Sequence, residues 1–247
     1  METRIDEIAD GIYRLSTFVP EVNPPVGFTF NEFLIRAEQP MLFHLGHKRM
    51  FPQLAAAVAK LLPVESLRFI AYSHVEADES GGLNDWLAAA PNAVVAHTPV
   101  GCAIWLGDAA LRPPRKVADN ETIDLGGKRV RFLATPHLPH GWDAQLLFEE
   151  TTGTLFCSDI FGHGGNAPAL TESDILAKGI ESESRSRSLS LTPNTAPQLR
   201  RLAALNPKRI ALMHGSSYAG DAAAALGGLA DHFAKQLAAG AENRPTI

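Results

Sequence analysis

Apolar residues recur along this chain with two periods, and the switches between them mark out its elements. Residues 12–17 alternate loosely, a Pro-rich connection follows at Pro20, Pro24 and Pro25, and residues 27–36 and 41–45 read as the arms of a hairpin. Phe51, Leu54, Val58, Leu61 and Leu62 then recur at helical spacing until Pro63 stops the helix. Residues 67–72 form a short apolar strand that runs into Ser73-His74-Val75-Glu76-Ala77-Asp78-Glu79. A helix over 82–90 ends before Pro91, and residues 93–97 make another strand with a helix after it.

The second half repeats the theme. Residues 121–125, 128–134, 144–150 and 154–158 read as strands, punctuated by Gly126-Gly127 and Thr152-Gly153. Leu199, Leu202 and Leu205 mark a helix, residues 209–213 a strand, and Leu226, Leu229, Phe233 and Leu237 one face of a last helix. Each half has a strand that runs straight into a histidine, His74 or His214. Strand pairs mixed with helices in both halves predict an α/β fold in which two sheets pack face to face with helices outside, an αβ/βα sandwich. One stretch departs from this texture: residues 181–190, ESESRSRSLS, read as a solvated helix end or surface loop, with a regulatory loop as the alternative.

Composition narrows the class. Of 247 residues, 45% are hydrophobic and 20% charged, which excludes disorder of the whole chain. The formal net charge of −5, with no basic stripe, argues against a nucleic-acid groove. Cys102 and Cys157 are too few for a disulfide framework, and Cys157 reads as a buried apolar residue. The acidic N-terminus has no apolar signal core, and no apolar run nears the ~18 residues of a membrane span, so a cytoplasmic location is expected.

The chemistry concentrates at strand ends. His74-x-Glu76-x-Asp78 puts three donors within five residues after an apolar strand, where α/β folds build their sites. Asp78 or Ser80 also suits the N-cap of the following helix. Three further segments tilt the balance: the loop 135–143 with His137 and His140, Asp159 after the strand at 154–158, and His214 after the strand at 209–213. A shared metal site accounts for all four strand ends at once. His44, His47 and His97 read as surface or satisfied core residues, His163 as a neighbour of the site entrance, and Trp86, Trp105 and Trp142 as core or pocket wall.

With these motifs the chain resembles the metallo-β-lactamase superfamily over nearly its whole length. The superfamily pattern is a His-x-His-x-Asp-His loop, a later strand-end His, a strand-end Asp and a final His. Here the first motif reads His74-x-Glu76-x-Asp78-Glu79, and Glu76 at the second ligand position resembles the diiron branch, that is, flavodiiron proteins and flavin-free oxygen-binding diiron proteins. The segment Asn31-Glu32-Phe33-Leu34 resembles the opening hairpin of that branch. The resemblance implies a four-layer αβ/βα sandwich of the metallo-β-lactamase type, a single domain over 1–247. It implies two metal ions. His74, Glu76 and the loop histidine would bind the first, Asp78 and His214 the second, and Asp159 would bridge them. The loop pattern favours His137, with His140 as the alternative. Glu79 departs from the histidine usual there and is an alternative ligand or a group supporting one; Tyr218, four residues past His214, is either packing or a group facing a bound ligand.

Imidazoles and carboxylates without a thiolate suit iron, with zinc or manganese as alternatives. The expected function is a non-haem diiron protein that binds, senses or reduces O₂ or a related diatomic. The chain shows no flavin domain of its own, so an external redox or signalling partner is expected; a homodimer is compatible. The alternative is a dinuclear hydrolase of a thioester, lactone or phosphoester, with a bridging hydroxide as nucleophile.

Overall fold

The structure, a computed structural model, describes residues 2–240. Strands β1 (Thr3–Ala9), β2 (Ile12–Val19), β3 (Phe28–Ile35) and β4 (Met41–Phe43) pair antiparallel in that order. Strands β5 (Phe69–Ala71), β6 (Val94–His97) and β7 (Arg115–Lys116) extend the same sheet in parallel. The second sheet is ordered β12-β14-β13-β11-β10-β9-β8. Its strands are β8 (Thr122–Asp124), β9 (Arg129–Ala134), β10 (Gln145–Glu149), β11 (Thr154–Phe156), β12 (Leu170–Thr171), β13 (Arg209–Ala211) and β14 (Ser217–Tyr218).

Strand alternation explains why the sheets stack. Phe33, Ile35, Met41, Phe43 and Ala71 of the first sheet meet Val130, Phe132, Leu147, Phe156 and Ala211 of the second in one apolar layer. Their in-between neighbours face outward. Leu34, Leu42 and Ile70 pack under helices α1 (Phe51–Ala59) and α3 (Leu83–Ala89). Leu146, Leu155 and Ile210 pack under α6 (Ile175–Ser186), α7 (Thr195–Ala203) and α8 (Ala222–Ala238). The layers are therefore helix, sheet, sheet, helix: the αβ/βα sandwich expected. A helical run connects β6 to β7: α4 (Pro99–Gly101), the π-helical turn Cys102–Leu106 and α5 (Gly107–Ala109).

Strand β1 is among the elements the sequence pattern missed, as are the short strands β7, β12 and β14. The centre of β1 is half exposed and only Thr3, Ile8 and Ala9 are buried, so it carries little alternation; its pairing with β2 defines it. The ESESRS stretch is the C-terminal part of α6, ended by Arg187 in the left-handed region at φ 50°. No helix among the described residues is long and apolar enough to cross a membrane.

The two sheets are stitched at one end by side chains that satisfy strand-end backbone. Asn31 Nδ2 donates to Leu212 O at 2.9 Å and Gly215 O at 3.0 Å. From the other side Gln145 Nε2 donates to Tyr72 O at 3.0 Å and Ala96 O at 3.2 Å. These bonds hold the turns after β5 and β13 against strands of the opposite sheet, and the candidate site lies there.

Candidate metal centre

His74 follows β5, and the chain then stays extended through Glu76 before turning into α2 (Ala77–Ser80). Asp78 does not cap this helix. No side chain caps it, and the Ser80 hydroxyl donates instead to Glu76 O at 2.7 Å. His74 Nε2 stands 3.3 Å from Glu76 Oε2, 3.5 Å from Asp159 Oδ2 and 3.9 Å from Glu79 Oε1. His140 Nε2 approaches the same atoms, 3.4 Å from Glu76 Oε2 and 4.0 Å from Asp159 Oδ2. On the other side of Asp159, His214 Nε2 lies 3.3 Å from Oδ1 and 3.4 Å from Asp78 Oδ2. The two oxygens of one carboxylate thus look toward two separate groups of donors.

The loop histidine that the structure brings into the cluster is His140, the alternative to the expected His137. His137 sits in the left-handed region at φ 65°, donates its backbone N–H to Gly141 O at 2.7 Å and is exposed. That turn buries Leu138 and brings His140 round to face Glu76. His140 Nδ1 donates to Ser188 O at 2.9 Å, just beyond α6, so its Nε2 is left for the cluster. His214 follows the same rule, Nδ1 donating to Thr29 O at 2.8 Å. His74 Nδ1 lies 3.0 Å from Ser73 Oγ. Three imidazoles, each oriented through Nδ1 with Nε2 aimed at carboxylates, form the arrangement that metal-binding histidines take.

The remaining predicted residues divide. Glu79 is fully buried beside the cluster with neither carboxylate oxygen hydrogen-bonded. Tyr218 packs in the core between the second sheet and its helices, outside the cluster. His163 is a buried support rather than an entrance residue: its Nδ1 donates to Phe161 O at 3.1 Å and its Nε2 accepts from Ser216 N–H at 3.2 Å. Trp86 is core, while Trp105 and Trp142 are exposed; Trp105 borders a cavity of about 410 Å³ that reaches Val75 and Glu76. Sequence reasoning missed the groups that hold the donors in place. Asp143 Oδ2 accepts the Val75 N–H at 3.1 Å and pins the backbone between His74 and Glu76. Neither it nor Thr29, Ser73 and Ser188 stands in a pattern that marks it.

The electrostatics follow from crowding. His140, then His74, hold the Glu76 carboxyl far below its usual range. Burial pulls His140 down, but Glu76 and Asp159 outweigh it and push the ring up to about 9. Burial likewise opposes, and His214 reverses, the trend at Asp159, whose carboxyl is held low. For Glu79, burial and then the charges of Asp159 and Asp78 drive the pKa well up. Burial draws His44, which lies behind Ser73, down to about 3, so its ring is neutral at pH 7. Four carboxylates converging on three imidazoles in a mostly buried place can hold cations, and the donors lie close enough. The facing atoms of His74, Glu76, His140 and Asp159 all lie within 4.8 Å of one another, as do those of Glu76, Asp78 and Glu79. Both Asp159 oxygens and His140 Nε2 are buried without a hydrogen-bond partner. Such atoms point at a common centre rather than at each other.

Known proteins are similar to the chain in sequence and in fold. A putative diflavin flavoprotein A 1 of Nostoc sp. is 33% identical over 140 residues, 55% of this chain and 24% of that protein. An anaerobic nitric oxide reductase flavorubredoxin of Vibrio vulnificus is 28% identical over 144 residues, 55% of this chain and 28% of that protein. The matched part thus spans about a quarter of these relatives. Among solved structures, a flavo di-iron protein from Thermotoga maritima superposes with TM-score 0.80 at 20% identity, covering 94% of this chain and 61% of that one. A fragment of a putative diflavin flavoprotein A 5 from Nostoc sp. does so with TM-score 0.80 at 15% identity, covering 96% of each. A family model described as ODP family beta lactamase matches residues 28–215, and the chain belongs to that family.

Proposed function

We propose that this protein holds two metal ions, iron in the working state, and binds or reduces O₂ or a related diatomic with electrons supplied from outside the described residues. One observation carries the reading: the two oxygens of Asp159 face two donor groups, Oδ2 toward His74 and His140, Oδ1 toward His214. His74, Glu76 and His140 would hold the first ion, Asp78 and His214 the second, and Asp159 would bridge them. Glu79, buried and without a hydrogen bond, adds a fourth carboxylate at the place where the superfamily pattern has histidine. A set of imidazoles and carboxylates with no thiolate suits iron better than a soft metal. Two irons held by these residues would supply open positions and electrons for a small diatomic ligand. The chain's own part is to orient: Ser188 O and Thr29 O fix two rings, and Asp143 fixes the backbone between His74 and Glu76.

The relatives' names, diflavin flavoprotein and nitric oxide reductase flavorubredoxin, support redox chemistry over the hydrolase alternative. Whole relatives are several times longer than the matched part, and the electrons are proposed to come from outside the described residues.

The test is metal content followed by an oxygen titration. Protein expressed in iron-supplemented medium is expected to carry two irons per chain, and Asp159→Ala fewer than one. Adding O₂ to the anaerobically reduced protein should change the near-UV and visible spectrum. A reduced, iron-loaded protein whose spectrum O₂ leaves unaltered sinks the proposal.

A further inference from the structure

Behind His74, on the side away from the carboxylates, three buried side chains meet at one hydroxyl. Ser73 Oγ lies 3.0 Å from His74 Nδ1, 3.1 Å from His44 Nε2 and 2.7 Å from Ser158 Oγ. His44, Ser73 and Ser158 are entirely shielded from solvent. His44 follows β4, Ser73 follows β5, and Ser158 follows β11 of the opposite sheet, one residue before Asp159.

A serine hydroxyl has one hydrogen to give and two lone pairs to receive, so three partners saturate it and the directions can be counted. His74 faces the carboxylates through Nε2; to offer a lone pair there it must carry its proton on Nδ1, and it donates to Ser73. The His44 ring also has the Asn31 backbone beside it, so its Nε2 can give a hydrogen to Ser73 or take one. Of the contacts to His44 and Ser158, one fills the second lone pair of Ser73 and the other receives its hydrogen.

We infer that His44, Ser73 and Ser158 form a relay that locks His74 in the Nδ1–H tautomer with Nε2 bare toward the candidate metal centre. This rests on the metal-centre reading, and His44 and Ser73 act in it as positioning residues. The backbone agrees. His44 and Ser158 both occupy the left-handed region, at φ 64° and 55°, where a residue other than glycine stays only if its surroundings hold it. They are held: the His44 N–H donates to Ala71 O at 2.9 Å, and Ser158 O accepts the Met213 N–H at 2.9 Å. The ring of Phe43 lies 4.4 Å from that of His44. Because Ser158 precedes Asp159, the relay also ties the orientation of His74 to the turn that presents the bridging carboxylate.

The experiment reads ring protons directly, by ¹⁵N NMR of the histidines in the full chain with and without zinc as the probe metal, and pairs this with zinc competition titrations. Wild type with zinc is expected to show His74 protonated at Nδ1 and His44 as a single tautomer. Ser73→Ala should give a mixed His44 tautomer and weaken zinc binding by about 10–100-fold, the usual cost of losing a group behind a metal-binding histidine. A mixture of His44 tautomers in wild type overturns the relay even where the variant fails to fold. Zinc binding unchanged in a folded Ser73→Ala overturns it too, and leaves the metal centre standing. Wild type that binds no zinc overturns the metal-centre reading and the role given to His74 with it.

Discussion

At the scale of single residues, His137 and His140 show how little of a ligand's identity lies in its neighbours along the chain. Both follow β9 and both flank a proline, yet only His140 has a ring nitrogen held by a carbonyl, Ser188 O, and the other turned to carboxylates. His140→Ala is therefore expected to weaken binding of the first metal at least about 100-fold, more than loss of a supporting group does. His137→Ala should leave affinity unchanged and move stability by less than about 0.5 kcal/mol, as for an exposed loop residue. Isothermal titration with zinc on the two variants separates them; equal losses would show that the loop turns differently in solution. A second residue-scale prediction concerns Glu149, the last residue of β10, whose carboxylate closes the turn to β11. Its carboxylate accepts the N–H groups of Thr151 and Thr152 at 2.8 Å each and the Thr152 hydroxyl at 2.6 Å. Burial opposes, and these bonds reverse, its shift, so its carboxyl titrates below the usual range. A carboxylate whose folded pKa is depressed contributes stability above its unfolded value, near 4.5, and loses it as pH falls through the lower folded value. Glu149→Gln should cost about 1–3 kcal/mol at pH 7, and denaturation curves of variant and wild type should converge as pH drops below about 4.

At the scale of elements, the strands were legible because their burial alternates. Phe33, Ile35 and Phe43 face the opposite sheet while Leu34 and Leu42 face helices, and that pattern stands openly in the sequence. Three of the four chemical strand ends were legible for the same reason: His74, Asp159 and His214 each come within three residues of the end of a buried strand. What could not be read depends on contacts distant in sequence. His140 is oriented by a carbonyl 48 residues away, His214 by Thr29, and β1 exists because β2 offers it an edge. The turn after β13 shows such a contact deciding a residue type. Gly215 has φ 95°, and a Cβ there would stand 2.3 Å from the His163 ring. That ring in turn accepts the Ser216 N–H, so the His163 loop and the His214 turn interlock. Gly215→Ala combines a strained backbone with a clash against a buried ring. It should destabilise by about 2–4 kcal/mol and displace His214 enough to lower occupancy of the second metal more than the first. Elemental analysis of the variant, refolded at low temperature with excess metal, reads this as a stoichiometry moving from two toward one. Full occupancy would show that the turn has slack the structure does not suggest.

At the scale of the whole molecule, the candidate centre sits across the seam of the sandwich. His74, Glu76 and Asp78 belong to the first sheet, and His140, Asp159 and His214 to the second. The net charge of −5 is modest, but four carboxylates meet at this seam, where their mutual repulsion pushes the halves apart unless positive charge lies between them. Two imidazole-oriented donor groups, the Asn31 and Gln145 stitches and the shared apolar layer resist that push without a cation. Bound cations turn it into attraction, so metal binding and folding of the whole sandwich are linked. A ligand present at about a thousand times its dissociation constant adds about 4 kcal/mol, and for a chain of this length each kcal/mol moves the midpoint by roughly 2–4 °C. Stripping metal with a chelator is therefore expected to lower the thermal midpoint by about 8–16 °C. The transition should stay single, because both sheets share the inner layer and neither half has a core of its own there. Asp159→Asn should remove most of the metal-dependent gain while leaving the metal-free midpoint nearly unchanged or raised, since it deletes one of the crowded charges. Scanning calorimetry of the two proteins, each with and without chelator, gives the four midpoints. A midpoint in wild type that ignores the chelator would mean that the seam is held by packing and the Asn31 and Gln145 stitches alone.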